Sequence, residues 1–336
     1  MPRTHIETTA GPVPAEDLGR TLVHEHLLTV SDVVRCEWPH LADPQAEEAA
    51  ALAAMQAAKG HGVRTWVDPA VMNLGRNAAM SKRVADAAGM NLVMATGAYV
   101  YESLPRYFRF REGSALTAAF VHDHEHGIQG TGVKPGFLKC AVDEHGITED
   151  VEKVLRAVAA AHQETGLPVM SHCRLSGVAL GPEGPIPPTP EEREKSLAQT
   201  LRQIEILVDE GGVPASAVQL AHVGDCSDLD MIEKVIETGV WIGLDRYGLD
   251  IFNPSASRNA TTAELVRRGY ADRLMLGQDS CATIDWYPPE MIPVLAPRWR
   301  ATLIFEEEIP ALADLGVTED HVAQMLDVNP AAWLAA

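Results

Sequence analysis

The sequence predicts an α/β chain folded as one (β/α)8 TIM barrel over residues 1–336, and three observations carry that prediction. Eight short apolar runs, each closing on polar or small residues, recur along the chain. Between them lie segments with apolar spacing near 3.6, so strands alternate with helices and the sheet is parallel. Residues with metal-binding side chains stand at five of the run ends, and only a closed ring of strands brings so many ends together. An open doubly wound sheet is the alternative. Against it, no run is followed by Gly-x-Gly-x-x-Gly, and no linker or shift in composition marks a second domain.

Taken in order, residues 5–13, closed by Pro14, suggest a short hairpin or cap ahead of the first strand. The strands are expected at 21–28, 64–70, 91–97, 136–141, 168–172, 218–223, 240–244 and 273–279. Val151, Val154, Leu155 and Val158 make one helical face after the capping residue Thr148, and Leu197, Leu201, Ile204 and Leu207 make another after Pro190. A helix from Ser227 to Glu237 stops at Gly239. Thr261-x-x-Glu264 reads as a capping box opening a helix at Leu265. The last helix, from about Glu319 to Asp327, is expected to end at Asn329-Pro330. Residues 173–190 and 280–297, rich in Gly and Pro or in Pro alone, read as long loops on the face where barrel enzymes keep their chemistry.

Composition removes several functions. The chain of 336 residues carries a formal net charge of −20 and no basic stripe, which argues against a nucleic-acid partner. Met1 to His5 lead into no apolar signal region, and the most apolar helical stretch, Ala49–Ala58, is too short to cross a bilayer. Five scattered cysteines without a Cys-x-x-Cys pair suggest reduced thiols, hence a cytoplasmic protein with no membrane partner.

The chemistry begins at Val23-His24-Glu25-His26. On a strand, His24 and His26 project from one face and Glu25 from the other, so two imidazoles are offered to a transition metal. Alone, such a pair is as readily two polar residues at a strand end. The later strand ends add Lys139, His172, His222 and Asp279. A lysine among metal-binding histidines is costly as an ammonium. Deprotonated, it can take up carbon dioxide as a carbamate and bridge two cations. His122, His124 and His126 look like a second cluster, but residues two apart on a helix lie about 200° apart, so a solvated helix end is the reading. Asp68 is assigned hydrogen bonding at the mouth, Glu191–Lys195 an exposed first helical turn, and Cys140 a place facing the helices. Arg174 is either a solvated loop residue or a contact for an anionic substrate.

These motifs, together with Val67-Asp68-Pro69, Gly75-Arg76-Asn77, Ala95–Tyr101, Gly136–Lys139, Asp143-Glu144, Ser171-His172, Gly243–Gly248, Cys281–Trp286 and Leu295–Trp299, resemble the phosphotriesterase-like lactonases of the amidohydrolase superfamily. The resemblance runs from about Gly11 to Pro330. It implies a dimeric barrel holding two divalent ions, zinc first, with iron, cobalt or manganese also compatible. By position, His24, His26 and Asp279 would hold the buried ion, His172 and His222 the exposed one, and carboxylated Lys139 would join them. A shared hydroxide would attack a lactone carbonyl, with Asp279 handling the proton. Tyr99 would stand beside the exposed ion as a donor, Arg246 on the loop after strand seven, and Tyr101 and Trp286 along the pocket. Two departures bear on the substrate. The loop after His172 is longer and richer in Gly and Pro than the family's, and Gln278 stands where many relatives have histidine. The function expected is a lactonase with side activity on organophosphate esters. A genuine phosphotriesterase and a non-catalytic ligand-binding barrel are the alternatives.

Overall fold

The structure is a computed structural model that describes residues 3–100, 103–181 and 184–336. Strand one comes in two pieces, Thr21–Leu22 and Glu25–Thr29. Strands two to seven are Thr65–Asp68, Asn91–Gly97, Phe137–Ala141, Val169–His172, Val218–Ala221 and Trp241–Leu244. Strand eight is Leu274–Leu276, and after a kink the chain continues as Ser280–Ile284. All eight fall on the expected runs. Neighbours in sequence are neighbours in the sheet, every pair parallel. The ring closes at its upper rim, where Ser280–Ile284 pairs in parallel with Glu25–Thr29.

Both interrupted strands meet at that seam, and Glu25 fastens it. Its fully buried carboxylate accepts from the backbone N–H groups of Gln278 (2.7 Å) and Ser280 (2.8 Å), and from the Ser280 hydroxyl. Between them, Asp279 N–H donates to the His24 carbonyl at 2.9 Å. Burial pushes the Glu25 carboxyl up to about 8 despite these donors. The residue that the alternation turns away from the histidines is thus the clasp that aligns strand one with strand eight.

The period-two alternation sorts side chains into two cores. Along strand four, Leu138 and Cys140 pack outward against the helices, while Phe137 and Ala141 face the barrel axis. Lys139 shares the inner face, one layer above Phe137. Beneath it, Phe137 meets Trp333 edge-on at 5.4 Å between ring centroids, and Val93, Met170, Met275 and Ile6 complete the apolar floor. Each such large side chain contributes roughly 1.5–3 kcal/mol on burial. The hairpin His5–Thr8 with Gly11–Pro14 supplies Ile6 and closes this end, as the sequence suggests.

The helices start where short polar side chains reach their free N–H groups. Thr148 caps Glu149–Thr165 through Val151 N, and Thr189 forms a full capping box with Glu192 on Pro190–Glu205. Glu191 to Lys195 are exposed there, as expected. Three expectations need correction. Thr261 does not open a helix: Ser255–Arg267 already runs through it, and its hydroxyl donates to Ser257 O, one turn back. Asn329-Pro330 does not stop the last helix, because a π-helical turn at Gln324–Val328 absorbs the proline and Asn329–Leu334 continues. The two long loops are partly structured. Ala179–Gly181 and Gly184–Ile186 pair as a hairpin, and residues 280–297 hold the closing strand and a turn at Ile292–Leu295.

Candidate metal centre

Every described residue expected at the metals stands at the upper, C-terminal rim of the barrel, with side chains converging on Asp279. His24 Nε2 lies 3.4 Å and His26 Nε2 3.3 Å from Asp279 Oδ1, and His222 Nε2 lies 3.8 Å from Oδ2. The rings of His24 and His222 are 4.6 Å apart, and those of His172 and His222 4.4 Å. Ligand atoms of His24, His222 and Asp279 all fall within 4.8 Å of one another, the one such group of three or more His, Cys, Asp or Glu among the described residues.

The backbone is bent to make this possible. His222 and Asp279 both adopt left-handed conformations, with φ of 69° and 52°, where side chains other than Gly are uncommon. Each therefore ends its strand abruptly and swings its side chain inward. Gly97 serves Lys139 similarly. A Cβ at this glycine would sit 1.9 Å from the Lys139 carbonyl oxygen, so strand three can pass strand four only with no side chain there.

Two carboxylates fix how the histidines face. Asp245, fully buried, sits 3.1 Å from His24 Nδ1 and 3.0 Å from His222 Nδ1, and accepts from His222 N at 2.7 Å. Two imidazole donors hold its carboxyl well below the usual carboxylate range against a large burial cost. With hydrogens on Nδ1, both rings leave Nε2 lone pairs for a cation. Asp68 accepts from Leu27 N and Ala70 N and lies 3.3 Å from His26 Nδ1, the hydrogen-bonding role expected of it.

Lys139 tests whether cations fit. Its Nζ is buried and has no hydrogen-bond partner among the described residues. Burial lowers it to about 8, so the neutral amine that combines with carbon dioxide is accessible near neutral pH. An unpaired amine beside four imidazoles and a carboxylate suits a group that will be modified and will ligate. The donor set of nitrogen and oxygen atoms fits divalent transition ions.

Arg246 donates from Nε to Asp279 Oδ2 at 2.9 Å and from Nη1 to Asp225 Oδ2 at 3.0 Å, while Arg258 holds the other Asp225 oxygen at 3.0 Å. Trp286 is exposed on the rim beyond Ile284, Arg174 lies beside Asp143, and Tyr101 lies outside the described residues. Gln278 is not open at the mouth. It is fully buried, with its amide donating to Arg300 O at 3.4 Å. Cys140 faces the helices, as expected.

A model of the phosphotriesterase family matches residues 4–181 and 187–334. This chain belongs to the phosphotriesterase family. It is 43% identical to an aryldialkylphosphatase of Saccharolobus solfataricus over 95% of each chain, and 38% identical to a phosphotriesterase homology protein of Mycobacterium tuberculosis over 97% of this chain and 96% of that one. A solved phosphotriesterase from M. tuberculosis, 37% identical, superposes over 98% of both chains with a TM-score of 0.88. A mutant organophosphorus hydrolase from Deinococcus radiodurans, 27% identical, gives 0.85 over 99% of this chain and 98% of that one. Phosphotriesterase-family members are binuclear metal-dependent hydrolases, and this chain is a metal-dependent hydrolase of that family.

Reading by residue type overlooked Glu25, Asp225 and Asp245, which touch ligand candidates or their neighbours without themselves pointing at the centre. Asp245 had a usable signal, since it ends its apolar run as Asp68 ends strand two. The His122–His126 segment is the end of helix Ser114–His126, with His122 and His126 exposed. Those two rings, four residues apart, do approach to 4.6 Å between centroids, but no third close ligand joins them among the described residues. Replacing His122, His124 and His126 together with Gln is expected to leave bound metal unchanged and kcat/KM within about twofold. Loss of a metal equivalent would reverse this assignment.

Proposed function

We propose that this phosphotriesterase-family hydrolase opens lactones, with weaker activity on organophosphate triesters. In this reading His24, His26 and Asp279 hold the buried cation, His172 and His222 the exposed one, and carboxylated Lys139 joins them. Zinc is the first choice, and iron, cobalt or manganese suit the same donors. When bound, the two cations supply a lowered pKa for water and Lewis acidity toward the ester carbonyl.

The chain's own residues do the rest. Asp279 takes the proton released on attack and passes it toward the leaving alkoxide. Arg246 keeps the Asp279 carboxylate turned inward through Nε. Its guanidinium, raised further above an already high pKa by Asp225 and Asp279, orients but does not relay protons. Asp245 and Asp68 hold the histidine rings. Trp286 and Arg174 are proposed to line the substrate path. The reading extends to a homodimer in the cytoplasm, consistent with five unpaired cysteines.

The observation that favours a lactone is the phenol of Tyr99, wedged edge-on against His172 with ring centroids 5.3 Å apart and its oxygen 3.2 Å from Nδ1. A planar ester fits beside such a ring more easily than phosphorus bearing three substituents. The second reading, a genuine phosphotriesterase, draws on the name of the 43% identical relative. Metal-loaded enzyme assayed on simple γ- and δ-lactones, acylated amino lactones and an aryl phosphotriester separates the two. A kcat/KM at least about tenfold higher for a lactone is expected, a difference of about 1.4 kcal/mol in barrier. Efficient triester hydrolysis without lactone opening would establish the second reading instead. No turnover of either would refute both readings and leave the hydrolase's substrate in another class.

A further inference from the structure

The sequence suggests Tyr99 as a proton donor to the substrate, but its hydroxyl already donates to Asp143 Oδ2 at 2.6 Å. Asp143 stands two residues past strand four, on a segment pinned where Val142 N donates to His172 O at 3.0 Å. Its other oxygen, Oδ1, accepts from Glu144 N at 2.8 Å and has Arg174 Nε and His172 Nε2 each at 3.8 Å. Arg174 is drawn the same way, since its guanidinium also donates to Val178 O at 2.5 Å and so organises the long loop. A phenol whose proton points at a carboxylate turns its oxygen lone pairs elsewhere, here toward His172 and the barrel mouth.

We propose that Asp143 is a positioning residue that sets the polarity of Tyr99, so that Tyr99 meets the substrate as a hydrogen-bond acceptor and selects substrates carrying an N–H or O–H beside the reacting carbonyl. The inference deepens the lactone reading and takes its probes from it. It also gives Arg174 a structural role. Held by Asp143 and Val178, this side chain ties the loop after strand five to the loop after strand four.

The test uses a matched pair of probes on the metal-loaded enzyme, an α-acylamino γ-lactone and its N-methyl analogue, which lacks the donor. Asp143→Asn is nearly isosteric, and its orientation is dictated. The Oδ1 position keeps the two N–H neighbours, so the amide NH2 faces Tyr99 and turns the phenol proton into the mouth. Wild type is expected to prefer the N–H probe about three- to tenfold, the size of one partly exposed hydrogen bond. Tyr99→Phe should erase that preference, and Asp143→Asn should erase or invert it, with bound metal unchanged in both. In a double-mutant cycle the two substitutions should be non-additive. An unchanged preference in either variant, or none in wild type, overturns the proposal. Both probes are also measured as competitive inhibitors of whichever ester is hydrolysed. If no lactone is opened yet the preference is seen in Ki, the lactone reading fails and the polarity of Tyr99 stands.

Discussion

Lys139→Ala is expected to release bound metal and to lower kcat/KM by more than about a hundredfold. The figure follows from the penalty for disturbing even the outer partners of a metal site, typically 10- to 100-fold, because Lys139 in the proposed role is itself a ligand. If Lys139 carries the proposed carbamate, its loss would remove the anion between the two sets of histidines, and two cations bound close together would repel without compensation. The substitution is local. Its neighbours on the inner face, Phe137 and Ala141, remain packed, and the removed Nζ leaves no hydrogen bond broken among the described residues. Added acetate or propionate should restore part of the activity by occupying the vacated space. Metal analysis on purified variant and wild type, with and without the added acid, is the measurement. Full occupancy and ordinary turnover in the alanine variant would show that the lysine bridges nothing.

Asp245→Asn is expected to weaken metal binding by about 10- to 100-fold, although Asp245 would touch no metal. The carboxylate accepts from Nδ1 of both His24 and His222. An asparagine has one acceptor and one donor, so its NH2 must face one of those rings. That ring then adopts the other tautomer, with its hydrogen on Nε2, where a lone pair is needed. Competition with a chelator, read against Asp245→Glu as a shape control, separates this from general destabilisation. Unchanged affinity for both cations would show that the tautomers are set by something else.

How the histidines are held is only partly legible in the sequence. His24 and His26 stand out because strand alternation is a local rule, and the same rule puts Lys139 inward and Cys140 outward. The capping of Glu149–Thr165 by Thr148 is readable for the same reason: cap and first turn lie within a few residues. Thr261 misleads because a capping pattern also fits a mid-helix threonine that bonds one turn back. Asn329-Pro330 misleads because a π turn at Gln324–Val328 leads into a further helical turn that begins with this dipeptide.

The sequence by itself determined the eight strand–helix repeats, the strand ends that carry His24, His26, Lys139, His172, His222 and Asp279, and the family, because periodicity and motif are properties of short stretches. Tertiary structure alone decided the partners. Glu25 reaches Gln278 and Ser280 across more than 250 residues, Asp245 gathers two histidines from different strands, and Asp143 accepts a hydrogen bond from the Tyr99 hydroxyl. A carboxylate's role depends on which donors face it in a water-free space. Only closing the ring brings those donors from opposite ends of the chain to within 3 Å or so of one oxygen.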